Sequence, residues 1–277
     1  MTKATSARLS PLDEVAADEA PPRPDRQVRW PIEDDGTVNL ARPPKPPLTV
    51  RLEADPQNVI IDLAKSAVIV IDMQNDFFRD DGWFGLRGVD LSPLFTAIEP
   101  INRLLPPMRA AGVPVVWVNW GVRPDGLGLP PNVLHAGNPT GRGLGMGDVH
   151  PAKGYNILAR GSWGAAVIDE MDTEDGDVRV DKMRISGFWD SELDGVLRNM
   201  GVTTLLFTGV NLDRCVMATL EDAAYLGYDC MVVDDCTATV HPEFATQHCH
   251  LMIKQLFGFI TTSEAISAGM AAMEGRS

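Results

Sequence analysis

The chain lacks a long hydrophobic run, a net positive charge and a dense set of cysteines. No apolar stretch among its 277 residues reaches the roughly 18 needed to cross a membrane, so we expect no membrane span. It has 24 Lys and Arg against 38 Asp and Glu, a formal charge of −14. Such a surface repels phosphate backbones and anionic lipid, which excludes nucleic acid and membrane as expected partners. Four cysteines, without the apolar leader of a secreted chain, predict reduced thiols and a cytoplasmic location.

Proline and apolar residues are distributed unevenly along the chain. Residues 1–50 hold nine of the 21 prolines, and their apolar residues are few and unpatterned. This composition predicts a Pro-rich N-terminal arm that is extended or disordered, or that wraps a neighbouring subunit. The remaining residues, 51–277, are predicted to form one folded domain.

Short apolar runs rich in β-branched residues alternate with helical stretches from Ser66 onward. The predicted strands are 66–72, 114–119, 178–182, 203–209, 229–235 and 258–262. Helices are predicted over 92–112, 191–201, 215–227 and 242–256, and the Gly/Pro-rich segment 121–160 is predicted to be a loop or lid. The alternation predicts an α/β fold, a three-layer sandwich with a six-stranded, mostly parallel sheet and helices on both faces.

Three chemically useful residues follow predicted strands. Asp72 ends the first strand, Lys182 ends the third and Cys215 follows the fourth. Because reactive groups of such sheets cluster beyond the carboxyl ends of the strands, we expect these side chains to meet. Each residue also has an ordinary alternative: a turn-capping Asp, a solvated Lys and a core Cys.

The trio suits nucleophilic catalysis. A thiolate is the reactive form of Cys, and a helix start and a nearby Lys182 ammonium are both expected to favour it at Cys215. Asp72 would accept the thiol proton and return it to a leaving amine. The turn "GVNLDRC" would direct backbone N–H groups toward an oxyanion.

Three motifs resemble the cysteine hydrolases of the isochorismatase-like superfamily: "AVIVIDMQNDF", "VDK" and "TGVNLDRCV". The likeness spans about residues 60–265. It implies a catalytic triad of Asp72, Lys182 and Cys215, with an oxyanion hole from the amides of Asn211 and Cys215. It also implies a cis peptide bond at Val210–Asn211 and assembly into a homo-dimer or homo-tetramer.

The resemblance also bears on metals and cofactors. Isochorismatases proper lack the nucleophilic Cys, so Cys215 indicates the amidase side of the superfamily. The nicotinamidase branch holds a metal after the second strand, where this chain reads "VNWGVRP" without His, and we therefore expect no metal and no other cofactor. The "HCH" at 248–250 falls in a predicted helix, where adjacent residues point in different directions.

Two amidase branches remain for the substrate. Gln255, forty residues after Cys215, and "RPDGLGLPPN" resemble biuret and triuret hydrolases, which makes release of ammonia from triuret or biuret the main prediction. The alternative is a ureidoacrylate amidohydrolase, suggested by "KMRISGFWDSELDGVLRNMG" and favoured if Arg184 faces the pocket; a further alternative is a non-catalytic family member. The predicted substrate-binding residues are Gln255, Phe77, Phe188, Arg184 and Trp83.

Overall fold

The computed structural model describes residues 30–41 and 46–274, apart from the side chain of Glu274. The chain divides into two compact units, 1–41 and 42–277. Most of the predicted arm, residues 1–29 and 42–45, lies outside the described residues. In the first unit the described residues fold back on themselves, with an antiparallel bridge between Ile32 and Val38.

The second unit is built on one parallel sheet. Its described strands are β1 (Thr49–Leu52), β2 (Val59–Asp62), β3 (Ser66–Ile71), β4 (Val115–Trp120), β5 (Val178–Lys182), β6 (Thr204–Val210), β7 (Asp229–Ala238) and β8 (Gly258–Thr261). Strands β3 to β8 form a six-stranded sheet in the order β5-β4-β3-β6-β7-β8, and every neighbouring pair is parallel. The predicted α/β fold is therefore confirmed. Strands β1 and β2 form a separate antiparallel pair.

Helices connect these strands. They are α1 (Asn75–Phe78), α2 (Trp83–Leu86), α3 (Ile98–Ala110), α4 (Pro131–Gly137), α5 (Leu193–Met200), α6 (Met217–Tyr225), α7 (Glu243–Met252) and α8 (Ser263–Glu274). The helix predicted over 92–112 begins as a 3-10 segment, Ser92–Ala97. π-Helical turns, Leu212–Val216 and Ile253–Phe257, precede α6 and follow α7. The predicted loop 121–160 contains α4, whose start is set by Pro131 at the first helical position.

The two central strands are buried along their whole length. Every residue of β3 and of β6 is buried, as expected for strands covered on both faces. Gly209 permits their close approach, because its φ is 100° and a Cβ there would lie 2.1 Å from the Ile71 carbonyl oxygen. The chain leaves β3 toward β4 on one side and later enters β6 on the other, so a topological switch point lies between their carboxyl ends.

Candidate active site

The three candidate catalytic side chains meet at this switch point. Asp72 directly follows β3, Lys182 is the last residue of β5, and Cys215 lies in the π-helical turn after β6. Lys182 Nζ lies 3.1 Å from Asp72 Oδ2 and 3.3 Å from Cys215 Sγ. All three residues are buried. The structure thus brings together the residues that the strand-end argument selected, and their catalytic roles stay a prediction.

Lys182 reaches its partners across an intervening strand. Strand β4 lies between β5 and β3, and Trp120 at its end is paired in register with Lys182. The Lys182 ammonium lies 3.8 Å from the centre of the Trp120 ring, a cation–π contact. It also donates a hydrogen bond of 3.2 Å to the Arg184 carbonyl. Trp120, which the sequence reasoning did not select, therefore contacts the Lys182 ammonium through its ring and helps to hold it in place.

Asp72 is held in an unusual backbone conformation. Its φ is 54°, in the left-handed region that costs a non-glycine residue roughly 1–2 kcal/mol. The Trp120 N–H donates to Asp72 Oδ1 at 3.1 Å, and the Asp72 N–H donates to the Val118 carbonyl at 3.2 Å. Strain of this kind clusters at functional sites. The surrounding contacts therefore fix the carboxylate toward Lys182 at an energetic cost.

Burial controls the protonation of the site. Burial raises the pKa of Cys215 to about 12, and the negative charge of Asp72 acts in the same direction against the positive charge of Lys182. Burial also raises the pKa of Asp72 above its ordinary value, although Lys182 opposes this. The Lys182 charge thus acts in the predicted direction, toward the thiolate, but burial and Asp72 outweigh it and raise the pKa of the resting thiol.

The turn that carries Cys215 is fixed on both sides. The Val210–Asn211 peptide bond is cis, as predicted. Asn211 Oδ1 accepts the Val240 N–H at 3.1 Å. Thr219 Oγ1 donates to the Cys215 carbonyl and accepts the Gly187 N–H at 2.9 Å. This turn is a rigid frame for the predicted oxyanion hole of the Asn211 and Cys215 amides.

Several predicted substrate-binding residues belong to the core. Phe77 and Trp83 are buried, with ring centroids 6.1 Å apart, and the Trp83 indole N–H donates to the Leu144 carbonyl at 2.8 Å. Phe188 is buried against Tyr228, with ring centroids 5.7 Å apart. These contacts agree with the packing alternative for the three aromatic residues, and their role as substrate walls stays a prediction.

Gln255 lies in the turn Ile253–Phe257 with an exposed side chain. A solvated position agrees with the ordinary alternative for a helix glutamine. The predicted contact of Gln255 with substrate stays a prediction.

Arg184 lines a cleft of about 400 Å³. Other lining residues are Ser186, Trp189 and Ala218, the last of which lies three residues after Cys215 in the chain. The Arg184 guanidinium donates to the Gly128 carbonyl and pairs with Asp190. Asp72, Lys182 and Cys215 are not among the residues that line this cleft, so a substrate-binding role of Arg184 stays a prediction.

The segment after Asp72 anchors the predicted lid, a role that the sequence reasoning missed. Asp76 is buried and accepts hydrogen bonds from the Tyr155 hydroxyl at 2.6 Å, the Leu158 N–H at 2.8 Å and the Trp83 N–H at 3.1 Å. The signal was present in "MQND", three hydrogen-bonding residues directly after a buried strand. These contacts attach segment 121–160 firmly to the body of the domain.

The three residues of the "HCH" triplet, 248–250, lie in different environments. His248 is exposed, Cys249 is buried, and His250 bonds to Asp234 at 2.7 Å. Hydrogen bonding to Asp234 raises the pKa of His250. Within residues 30–41 and 46–274, no group of three or more His, Cys, Asp or Glu side chains has the arrangement of a metal site. Nor does any helix of that part of the chain have the length and apolar character needed to cross a membrane.

Comparison with known proteins agrees with this architecture. Residues 66–265 match the family described as Isochorismatase domain. The chain belongs to the isochorismatase family. Within it, the chain is a cysteine amidohydrolase that acts on C–N bonds.

Two curated relatives are ureidoacrylate amidohydrolases named RutB. That of Stutzerimonas stutzeri is 35% identical over 228 residues, which cover 80% of this chain and 90% of the relative. That of Methylorubrum extorquens is 33% identical over 233 residues, covering 82% and 91%. Both of these similar proteins are thus named for ureidoacrylate as their substrate.

Solved structures give the same fold. A cysteine hydrolase from Pseudomonas syringae aligns with a TM-score of 0.64 at 27% identity, covering 77% of this chain and 95% of that one. An N-carbamoylsarcosine amidase from Thermoplasma acidophilum aligns with a TM-score of 0.55 at 26% identity, covering 72% and 97%.

Proposed function

We propose that this amidohydrolase cleaves a ureido C–N bond in a small carboxylate of the ureidoacrylate class, with Cys215 as nucleophile. The observation that carries the proposal is the buried contact of Lys182 Nζ with both Asp72 and Cys215, at 3.1 and 3.3 Å. The relatives named for ureidoacrylate support the substrate class over the triuret or biuret of the main sequence prediction.

The first step moves the thiol proton. Lys182 Nζ approaches Asp72 Oδ2, yet this oxygen accepts no aligned hydrogen bond from the described residues. A lone pair is therefore open for the Cys215 proton. Substrate binding triggers the transfer, because the resting thiol pKa of about 12 disfavours a free thiolate. Lys182 stabilises the sulfur as it becomes negative.

The thiolate then attacks the ureido carbonyl carbon, and the carbonyl oxygen becomes an oxyanion held by the Asn211 and Cys215 amides. The C–N bond breaks as Asp72 returns the proton to the leaving nitrogen. Water, deprotonated by Asp72, next attacks the thiocarbamate carbon and breaks the C–S bond. Cys215 recovers its proton and a carbamate leaves, which breaks down in water to ammonia and CO2.

Arg184 is the proposed partner of the substrate carboxylate. A guanidinium binds a carboxylate through two parallel hydrogen bonds. Arg184 lines the cleft that reaches Ala218, whereas Gln255, the residue on which the biuret reading depended, is exposed. On binding ureidoacrylate, Arg184 would exchange its ion pair with Asp190 for the substrate carboxylate, an interaction that neutral urea chains cannot make.

Turnover of a small substrate panel tests this function. Ammonia release from ureidoacrylate, biuret, triuret, N-carbamoylsarcosine and nicotinamide should be fastest with ureidoacrylate. Cys215→Ala should reduce turnover by at least about 10³-fold while the chain stays folded, as loss of a nucleophile does elsewhere. Arg184→Gln should raise KM for ureidoacrylate more than for biuret. Normal turnover by Cys215→Ala, or a preference for biuret or triuret, would contradict the proposal.

A further inference from the structure

A second cavity, of about 440 Å³, lies beside the edge strand β5. Its polar lining includes Asn119 from β4 and Arg179 and Asp181 from β5. Asn119 pairs with Asp181 in register, next to the pair of Trp120 and Lys182. Successive residues of a strand point to opposite faces of the sheet. The cavity therefore lies on the face opposite the side chains of Trp120 and Lys182.

Asn119 gives this cavity a buried polar group without a partner. The residue is 8% exposed, and its Oδ1 atom accepts no hydrogen bond from any described residue. Buried amide oxygens are nearly always hydrogen-bonded, and leaving one unpaired is costly. An apolar residue of similar size would pack at this position without this cost. The position is thus suited to a molecule that donates a hydrogen bond.

Charged groups of both signs border the same space. The Arg179 side chain is exposed and has no ion pair or hydrogen bond with the described residues. Asp181 pairs with Arg160 at 2.6 Å at the rim. Arg179 and Asp181 lie two residues apart on one face, so their backbones are roughly 7 Å apart. Asp169 is a second carboxylate in the lining, so the cavity offers one cation and two carboxylates.

We propose that this cavity binds a small zwitterion of the amino-acid class. Its carboxylate would pair with Arg179, and its ammonium would donate to Asn119 Oδ1 and Asp181. One wall, Ala165 to Ile168, is hydrogen-bonded to the segment after Asp72, including a 3.0 Å bond from the Asn75 N–H to the Ala166 carbonyl. The bound molecule would contact neighbours of the candidate active site without entering it.

Binding of β-alanine and glycine to the full chain tests the proposal independently of turnover. Titration calorimetry should detect β-alanine or glycine with a Kd of about 1 mM or tighter, and the ligand should raise the thermal midpoint. Acetate and methylammonium, which each carry one of the two charges, should bind at least tenfold more weakly. The same binding by Cys215→Ala would separate this cavity from the nucleophile's pocket.

Two variants of cavity residues, Arg179→Gln and Asn119→Leu, locate the ligand, and Arg142→Gln is their control. Arg179→Gln should weaken binding at least tenfold, whereas Arg142→Gln, at an exposed arginine of the segment 121–160, should leave it unchanged. Asn119→Leu should abolish the ligand-induced rise in thermal midpoint without lowering the midpoint of the free chain. Failure of both zwitterions to bind, or equal binding by both variants and wild type, would reduce the cavity to a hydration site and overturn the proposal.

Discussion

The burial, backbone conformation and protonation of Asp72 together determine whether it can act as the base of the site. It is buried, its backbone is in the left-handed region, and one carboxylate oxygen is free of aligned donors. Because burial raises its pKa, Asp72 takes up a proton at a higher pH than an ordinary aspartate. Below that pH it cannot accept the thiol proton of Cys215.

The acid limb of the pH profile should therefore report Asp72. We expect kcat/KM for ureidoacrylate to fall as pH decreases through an apparent pKa above the ordinary aspartate value of about 3.9. Steady-state kinetics across the acid and neutral range would measure it. Asp72→Asn should remove the limb together with the activity. A wild-type profile that stays flat to the ordinary aspartate range would show that Asp72 is not the base.

The buried Lys182–Asp72 ion pair predicts how substitution of Lys182 changes the free energy of unfolding. Lys182→Met leaves a buried carboxylate without its cation, and breaking a buried ion pair in this way costs about 3–5 kcal/mol. Denaturant unfolding at neutral pH would measure the loss. The double variant Lys182→Met with Asp72→Asn should recover part of it, because no uncompensated charge is then buried. Additive losses in the double variant would contradict the pairing.

At the scale of elements, the segment 121–160 is held by Asp76. Three donors converge on this carboxylate, two of them from the segment itself, Tyr155 and Leu158. Burial raises the pKa of the Tyr155 hydroxyl, and the hydrogen bond to Asp76 raises it further. The segment therefore opens only if these bonds break.

Removing the anchor should loosen the segment before the domain unfolds. Asp76→Ala leaves three donors without an acceptor, at about 1 kcal/mol or more each. Hydrogen exchange and limited proteolysis should then increase within 121–160 and remain low in β3 and β6. Asp125→Ala is the matched control, since Asp125 is exposed in the same segment and pairs only locally with Arg123. Equal protection in both variants would refute the anchoring role.

For the whole molecule, the sheet is the part that sequence predicts best. Strands covered on both faces must be continuous apolar runs, so β3 and β6 are visible in "SAVIVI" and "TLLFTGV". Their order brings Asp72 and Cys215 to one edge. Helices α1 and α2 escaped prediction because four residues show little of a 3.6-residue period.

Side-chain environment is harder to predict than strand order. The direction of Gln255 depends on a π-helical turn that no residue count shows, and the raised pKa of Cys215 depends on burial by distant segments. The described residues belong to one copy of the chain. The predicted homo-dimer or homo-tetramer and the arm of residues 1–50 therefore stay predictions, which light scattering of the full chain and of a 46–277 truncation would measure.

The four cysteines provide a last test of the whole molecule. All four are buried free thiols. Burial raises the pKa of Cys230 to about 12 and of Cys249 to about 11, and it raises the pKa of Cys236 as well. The pKa of Cys215 is raised as well, so the thiol is the favoured form of all four cysteines at neutral pH.

The native chain should therefore react slowly with a disulfide reagent at neutral pH, and all four thiols should react after unfolding in denaturant. Cys215→Ala should lower the count in the unfolded chain from four to three and leave the slow native reaction unchanged. The native rate should rise with pH as thiolates form. Fast labelling of one native thiol at neutral pH that Cys215→Ala abolishes would show a thiolate in the resting site. Lys182 would then outweigh burial and Asp72, and the substrate-triggered proton transfer would be unnecessary.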